Sequence, residues 1–104
     1  MNYLSQQLVQ LGLSNLESQV YLALLKRKST TAGALAKYSR LKRSTVYTVL
    51  DSLIEKGLVN QTQIDAVKHY QGESPNRLLD FIKKEEEAIK SKKDLYIELE
   101  SDLS

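Results

Sequence analysis

The chain has 104 residues, no cysteine, one histidine and a formal net charge of +2, which suits a single modest domain and excludes a disulfide frame or thiolate metal site. His69 cannot build a zinc site alone, and no apolar run approaches the roughly 20 residues that cross a bilayer. The N-terminus, MNYLSQQLVQLGLS, lacks a basic region followed by an apolar block, so the chain is expected in the cytoplasm, off the membrane, without metal or cofactor.

Residues 2–11 read as a first helix, with Leu4, Leu8 and Leu11 at spacings of four and three and Gly12 as its left-handed stop. Ser14-Asn15-Leu16-Glu17 has the capping-box pattern, a serine accepting from a backbone amide and a glutamate reaching back. Leu13, Val20, Leu22, Leu24 and Leu25 then predict a heavily buried second helix to about Arg27. Lys26, Arg27 and Lys28 suit the negative end of its dipole.

Thr30 or Thr31 caps a short third helix over Ala32–Tyr38, whose Ala32, Leu35 and Ala36 allow close approach to a neighbour. Ser39-Arg40-Leu41-Lys42 forms a turn. A fourth helix runs from about Arg43 to Lys56, with Val46, Leu50 and Leu53 on one side. Gly57 supplies its left-handed stop, and Leu58 folds back on the last turn. One side is apolar and the other opens with Lys42, Arg43, Ser44, Thr45, Tyr47 and Thr48, small polar and basic side chains that suit a DNA groove. This is the pattern of a helix-turn-helix.

Leu58–Gln63 and Val67–Gln71 bracket Ile64-Asp65-Ala66 and predict a two-stranded hairpin, a wing, although the turn has no Asn-Gly or Asp-Gly to set its register. Ser74 as N-cap and Pro75 at the first helical position open a last helix. It continues to Leu103 without Gly or Pro, about 29 residues or roughly 43 Å. Leu78, Ile82, Glu85, Ile89, Lys92, Tyr96, Leu99 and Leu103 alternate by four and three, a coiled-coil seam with two polar interruptions. Phe81, Ala88 and Leu95 widen it. A rod of that length outruns the head, so its apolar face calls for a partner, most simply a second copy. Glu85, Glu86 and Glu87 point around the helix in succession and read as a solvated face.

Residues 1–72 carry nine Lys/Arg against four Asp/Glu, a balance of +5, and residues 73–104 six against nine, a balance of −3. A basic head and an acidic tail fit an anion-binding surface with an element facing away from it. No second histidine or paired nucleophile accompanies His69, so no enzyme is expected.

Four blocks, LGLSNLESQVYLALL, TAGALAKYS, RSTVYTVLDSLIEKGLV and KHYQGESP, together resemble the N-terminal winged-helix domain of TrmB-like transcriptional regulators over roughly residues 8–79. The resemblance implies a winged helix, homodimers and promoter or operator DNA as ligand. Arg43, Ser44 and Tyr47 match the family's Arg-Ser-x-x-Tyr, Lys68 and His69 its basic pair on the return strand, and Tyr70 the aromatic that follows. Arg40 stands where the family usually has Gly, and Lys42 where it often has Pro. Arg40 must therefore take a left-handed turn or the turn is built differently. Many members continue into a sugar-binding domain; here the chain stops after one helix, and sugar sensing is not expected.

These readings predict a mainly α (α+β) winged helix-turn-helix over 1–73, with a two-stranded wing, and a dimerisation helix over 74–104. The expected function is a sequence-specific regulator binding double-stranded DNA as a homodimer and repressing by occlusion. Ser44 and Thr48 face bases, with Thr45 and Tyr47 on the flanks. Arg43 reaches guanine or phosphate, Lys37, Arg40 and Lys42 grip phosphate, and Lys68 and His69 act from the wing. Leu78, Ile82, Ile89, Leu95, Tyr96, Leu99 and Leu103 form the dimer seam, antiparallel because Glu85 and Lys92 then avoid their own copies. Two alternatives stay open: a winged helix used for protein contact, and a nonspecific architectural DNA binder.

Overall fold

A computed structural model describes residues 2–104. The elements in order are α1 (Tyr3–Leu11), α2 (Asn15–Lys26), α3 (Ala32–Ser39), α4 (Arg43–Glu55), β1 (Val59–Ile64), β2 (Val67–Gly72) and α5 (Arg77–Leu103). This is a winged helix-turn-helix with a long C-terminal helix. α2 is the centre of the head and packs on α1, α3, α4 and β2, while α3 packs on α4. Val20, Tyr21, Leu24, Leu35, Val46, Leu50, Leu53 and Leu58 are its large, fully buried apolar side chains. Each removes roughly 1.5–3 kcal/mol worth of apolar surface from water.

Local chemistry sets most boundaries. Asn2 caps α1 by accepting from the Ser5 amide at 2.7 Å, and Gly12 ends it at φ 120°. Only Leu8 of the expected leucine stripe is buried; Leu4 and Leu11 are exposed, and Ser5 takes the inward place beside Leu8. The capping box on α2 is complete, with Glu17 N–H to Ser14 Oγ at 3.0 Å and Ser14 N–H to Glu17 Oε1 at 2.8 Å. α2 ends at Lys26; Leu25 is exposed, and Tyr21, not counted in the predicted apolar face, is buried. Its hydroxyl donates to the Glu73 carbonyl at 3.0 Å, which satisfies the polar tip of a buried ring.

Thr31, not Thr30, caps α3, accepting from Ala34 at 3.2 Å. Thr30 exchanges backbone hydrogen bonds with Tyr70 and so ties the start of the helix-turn-helix to the wing. Arg40 takes the left-handed conformation, φ 57° and ψ 39°, that the glycine of related sequences would occupy freely. The turn keeps it there through Leu41 N–H to the Ala36 carbonyl at 3.0 Å, with Leu41 half-buried against the core. α4 closes as predicted in kind, with Gly57 at φ 78° and Leu58 N–H returning to the Leu53 carbonyl at 3.0 Å.

The wing is longer than its sequence signal. Ile64 belongs to β1 and pairs with Val67, leaving Asp65-Ala66 as a two-residue turn. Both turn residues have positive φ, 51° and 64°, the primed geometry that matches strand twist. Asp tolerates it better than Ala, and the pair lacks the glycine that marks such a turn in sequence.

α5 begins two to three residues later than predicted. Ser74 and Pro75 form a preceding turn in which Arg77 N–H bonds the Ser74 carbonyl at 2.9 Å, and the N-cap position, Asn76, makes no side-chain cap. The helix has 27 residues, about 40 Å. Phe81 is buried and Leu78 and Ile82 pack half-buried against the head core. The head's packing thus continues past the expected boundary at 73/74 to Ile82. Beyond it every residue of α5 is exposed. The radius of gyration is 17.0 Å, against about 13 Å for a compact chain of this length. Among the described residues no helix is long and apolar enough to cross a membrane.

Candidate nucleic-acid interface

α4 is held by its apolar side. Val46, Leu50 and Leu53 are fully buried and Val49 nearly so. At 100° per residue the opposite ridge is Ser44, Thr48, Asp51 and Glu55, all exposed. Ser44 and Thr48 stand outward as expected, and Asp51 and Glu55 continue the ridge at the same helical spacing. The outward face is therefore neutral and hydroxylic in its N-terminal half and acidic in its C-terminal half. Only the N-terminal half can approach a polyanion without repulsion, so α4 is suited to enter a groove end-on or tilted.

The same N-terminus is electropositive in its backbone. Lys42 occupies the N-cap without a side-chain cap, leaving the first amides of α4 available. Lys37, Arg40, Lys42 and Arg43 are all exposed around it. The ion pairs among the described residues are Lys56–Glu17 and Lys90–Asp94, so none of these four cations is neutralised. Arg43 is positioned by two neighbours. Its guanidinium carbon lies 3.6 Å from where a Cβ on Gly33 would stand and 5.9 Å from the centroid of the Tyr47 ring, at the limit of a cation–π contact. It lies along the junction of α3 and α4, at the flank of the hydroxyl ridge.

The hydroxyls are not equivalent. Thr48 Oγ1 donates to the Ser44 carbonyl at 3.2 Å, so its lone pairs face outward as acceptors. Ser44 is exposed, Thr45 is half-buried on the flank, and Tyr47 keeps 39% of its surface. Tyr70 of the wing is buried near α4; burial, and then the nearby Tyr47 and Asp51, push its hydroxyl pKa up.

In the wing, Lys68 pairs with Gln63 and His69 with Thr62. Successive residues of a strand face opposite ways, so Lys68 shares the face of buried Tyr70 while His69 looks out from the other side. The two do not form one basic patch. Lys68 is exposed and His69 half-buried.

One further group positions α4 and carried no sequence signal beyond a cap. Glu17, only 5% exposed, accepts from Lys56 Nζ at 2.8 Å and from the Ser52 hydroxyl, while Lys56 also reaches Ser52 at 3.0 Å. The capping glutamate of α2 therefore clamps the C-terminal turn of α4. Burial pushes its carboxyl pKa up, but the hydrogen bonds from Lys56, the Ser14 amide and Ser52 outweigh it and the net shift is downward.

A family model described as the sugar-specific transcriptional regulator TrmB matches residues 8–76, which contain the whole helix-turn-helix and wing. The chain belongs to the TrmB family. None of the curated proteins compared with it matches. Among solved structures it is similar to TrmBL2, an archaeal chromatin protein with a described novel mode of DNA binding, at 24% identity and a TM-score of 0.79. That match covers 96% of this chain but 39% of TrmBL2, so the chain spans well under half of that relative. It is also similar to the ST1889 protein of Sulfolobus tokodaii, with 29% identity, a TM-score of 0.59 and coverage of 76% and 86% of the two chains. A third likeness is to Staphylococcus aureus MepR in complex with DNA, with 21% identity, a TM-score of 0.62 and coverage of 95% and 87%.

Proposed function

We propose that this TrmB-family protein is a homodimeric, sequence-specific regulator of transcription that inserts the N-terminal half of α4 into the major groove of double-stranded DNA and represses by occlusion. The observation that carries this reading is the exposed hydroxyl ridge Ser44–Thr48 flanked by four unpaired cations on a helix whose back is locked into the core. Ser44 and Thr48 contact base edges, Arg43 a guanine or a phosphate beside them, and Lys37, Arg40 and Lys42 phosphates. Lys68 contacts a flanking phosphate from the wing. That TrmBL2 and MepR are described with DNA supports the ligand class.

The exposed apolar side chains Ile89, Leu95, Tyr96, Leu99 and Leu103 support dimerisation through α5. An antiparallel pair centred on Ile89 sets Glu85 opposite the partner's Lys92, Ile82 opposite Tyr96 and Leu78 opposite Leu99. It also carries Leu103 to the apolar recess formed by Leu4, Leu25, Pro75 and Leu78. Leu78 and Ile82 serve their own head first and offer the partner only their remaining surface. With the chain free of cysteine, E85C/K92C is expected to form a disulfide-linked dimer that neither single variant forms. Crosslinking of E85C alone shows a parallel pair, and a monomer in sedimentation at micromolar concentrations removes the dimer.

Selection of bound sequences from random DNA tests specificity. A sharp, two-fold motif is expected. A flat result favours a second reading, a nonspecific architectural binder, to which the short hydroxyl side chains on the ridge and the likeness to a chromatin protein lend support. The ratio of specific to nonspecific affinity separates the two.

A further inference from the structure

Gly33 stands in the first turn of α3, although glycine is the poorest helix former after proline. Its backbone does not call for one, since the glycines with positive φ are Gly12 and Gly57. What sets Gly33 apart is the space over its Cα. The three nearest neighbours of a Cβ placed there would all belong to Arg43, Cζ at 3.6 Å and the two terminal nitrogens at 3.8 and 3.9 Å. The carbon is nearest and the nitrogens are almost equally far, the pattern of a planar guanidinium lying face-on to α3. An edge-on group would bring one nitrogen closest. The Tyr47 ring flanks the same carbon, its centroid 5.9 Å away. These are ordinary van der Waals distances, so a methyl on residue 33 fits under the guanidinium. A β-branched side chain fills two of the three positions beyond Cβ and competes for the volume the guanidinium occupies. Arg43 enters neither ion pair of the described residues. A guanidinium held by its face keeps its donors free, because all of them lie in the plane.

We propose that Gly33 is a positioning residue for DNA binding: the bare backbone of α3 seats the Arg43 guanidinium, which then meets a pair of acceptors on DNA as a fork already ordered. Guanine O6 and N7 present such a pair, and so do two oxygens of one phosphate. The inference rests on the reading of α4 as the helix that enters the groove. The seat itself is tested without DNA. Relaxation of the arginine Nε–Hε groups in the full wild-type chain is expected to show Arg43 more rigid than Arg40 and Arg77; equal mobility overturns the seat. Affinity is then measured for the tightest duplex recovered from a random pool. Arg43→Ala is expected to weaken binding about tenfold or more. Gly33→Val is expected to weaken it roughly threefold to tenfold, through lost order in one long side chain, and Gly33→Ala not at all. Valine is a better helix former than glycine, so the loss in Gly33→Val is expected without a fall in melting temperature. In the Arg43→Ala background, Gly33→Val is expected to add no further loss. Additive losses overturn the proposal, because Gly33 then acts on something other than Arg43. Wild-type affinity in Gly33→Val beside weak binding in Arg43→Ala overturns the proposal alone, whereas wild-type affinity in Arg43→Ala overturns the groove reading of Arg43 and the proposal with it. A loss in Gly33→Val confined to one G·C pair identifies guanine as the acceptor; an equal loss on all duplexes, with the salt slope lowered by about one, identifies phosphate.

Discussion

α4 and the distal half of α5 carry the same sequence pattern and meet opposite fates. In α4, Val46, Leu50 and Leu53 recur at spacings of four and three and are fully buried. In α5, Ile89, Tyr96 and Leu103 recur at multiples of the same seven-residue period and are 54%, 62% and 83% exposed. The difference lies in what the chain brings back against each helix. The turn at Arg40 folds α3 onto α4, and the wing and α2 close the other sides. Past Ile82 every residue of α5 is exposed, although the Glu85 side chain still lies beside Gly12. Periodicity states which side of a helix is apolar; topology decides whether that side is covered from within or is left for a partner.

The comparison can be broken most severely at the root of α5. Ending the chain after Gly72 removes Leu78, Phe81 and Ile82 from the head, and loss of a buried Phe alone costs about 3–5 kcal/mol. Ending it after Glu87 is expected to leave head stability within about 0.5 kcal/mol. Urea midpoints of the two truncations measure the contrast, and equal midpoints would place the domain boundary at 73 after all. Within the head, Leu50→Ala is expected to cost about 3 kcal/mol, whereas Ile89→Ala in dilute protein should cost almost nothing and lower only the association constant.

A smaller effect separates the clamped end of α4 from its free end. Glu17→Gln leaves the capping geometry in place but removes the charge that Lys56 and Ser52 address, and about 2 kcal/mol is expected, typical of hydrogen bonds to a charged group. Because the folded carboxyl pKa is lowered, its stabilisation is fully present above the unfolded pKa near 4.5 and is lost as pH falls through the folded value. Denaturation midpoints of wild type and Glu17→Gln should therefore converge on acidification below about pH 4.5; a constant gap would exclude the clamp as its origin. Reversing charge at Arg40, Lys42 and Arg43 together, at the free end, should change stability by about 0.5 kcal/mol or less per site yet abolish mobility shifts of DNA. Retained shifts would move the interface elsewhere.

The smallest expected effect concerns two strained residues, one in each half of the head. Arg40→Gly and Ala66→Gly each relieve a left-handed conformation that costs an L-residue roughly 1–2 kcal/mol, offset in part by the added freedom of glycine in the unfolded chain. Net gains of about 0.5 kcal/mol are expected in each case. A loss at Arg40 in the absence of DNA would mean that its side chain, and not its backbone, holds the turn.

The sequence by itself determined the order of the elements, the capping box at Ser14, the glycine stops at Gly12 and Gly57, the inward triad of α4, the hydroxyl and basic start of that helix, and the family. These are local matters of spacing, capping and backbone freedom, legible over a few residues. Only the tertiary structure decided that Glu17 clamps Ser52 and Lys56 across 35 and 39 positions of chain, that Thr30 bridges Tyr70, and that Leu78 and Ile82 belong first to their own head. Each depends on which distant segments are brought together, and no pattern within one helix or strand carries that information. The wing turn lies between the two cases. Its Asp65-Ala66 geometry is local, but strand pairing imposes it on an alanine that does not favour it, so the fold and not the residue sets the register.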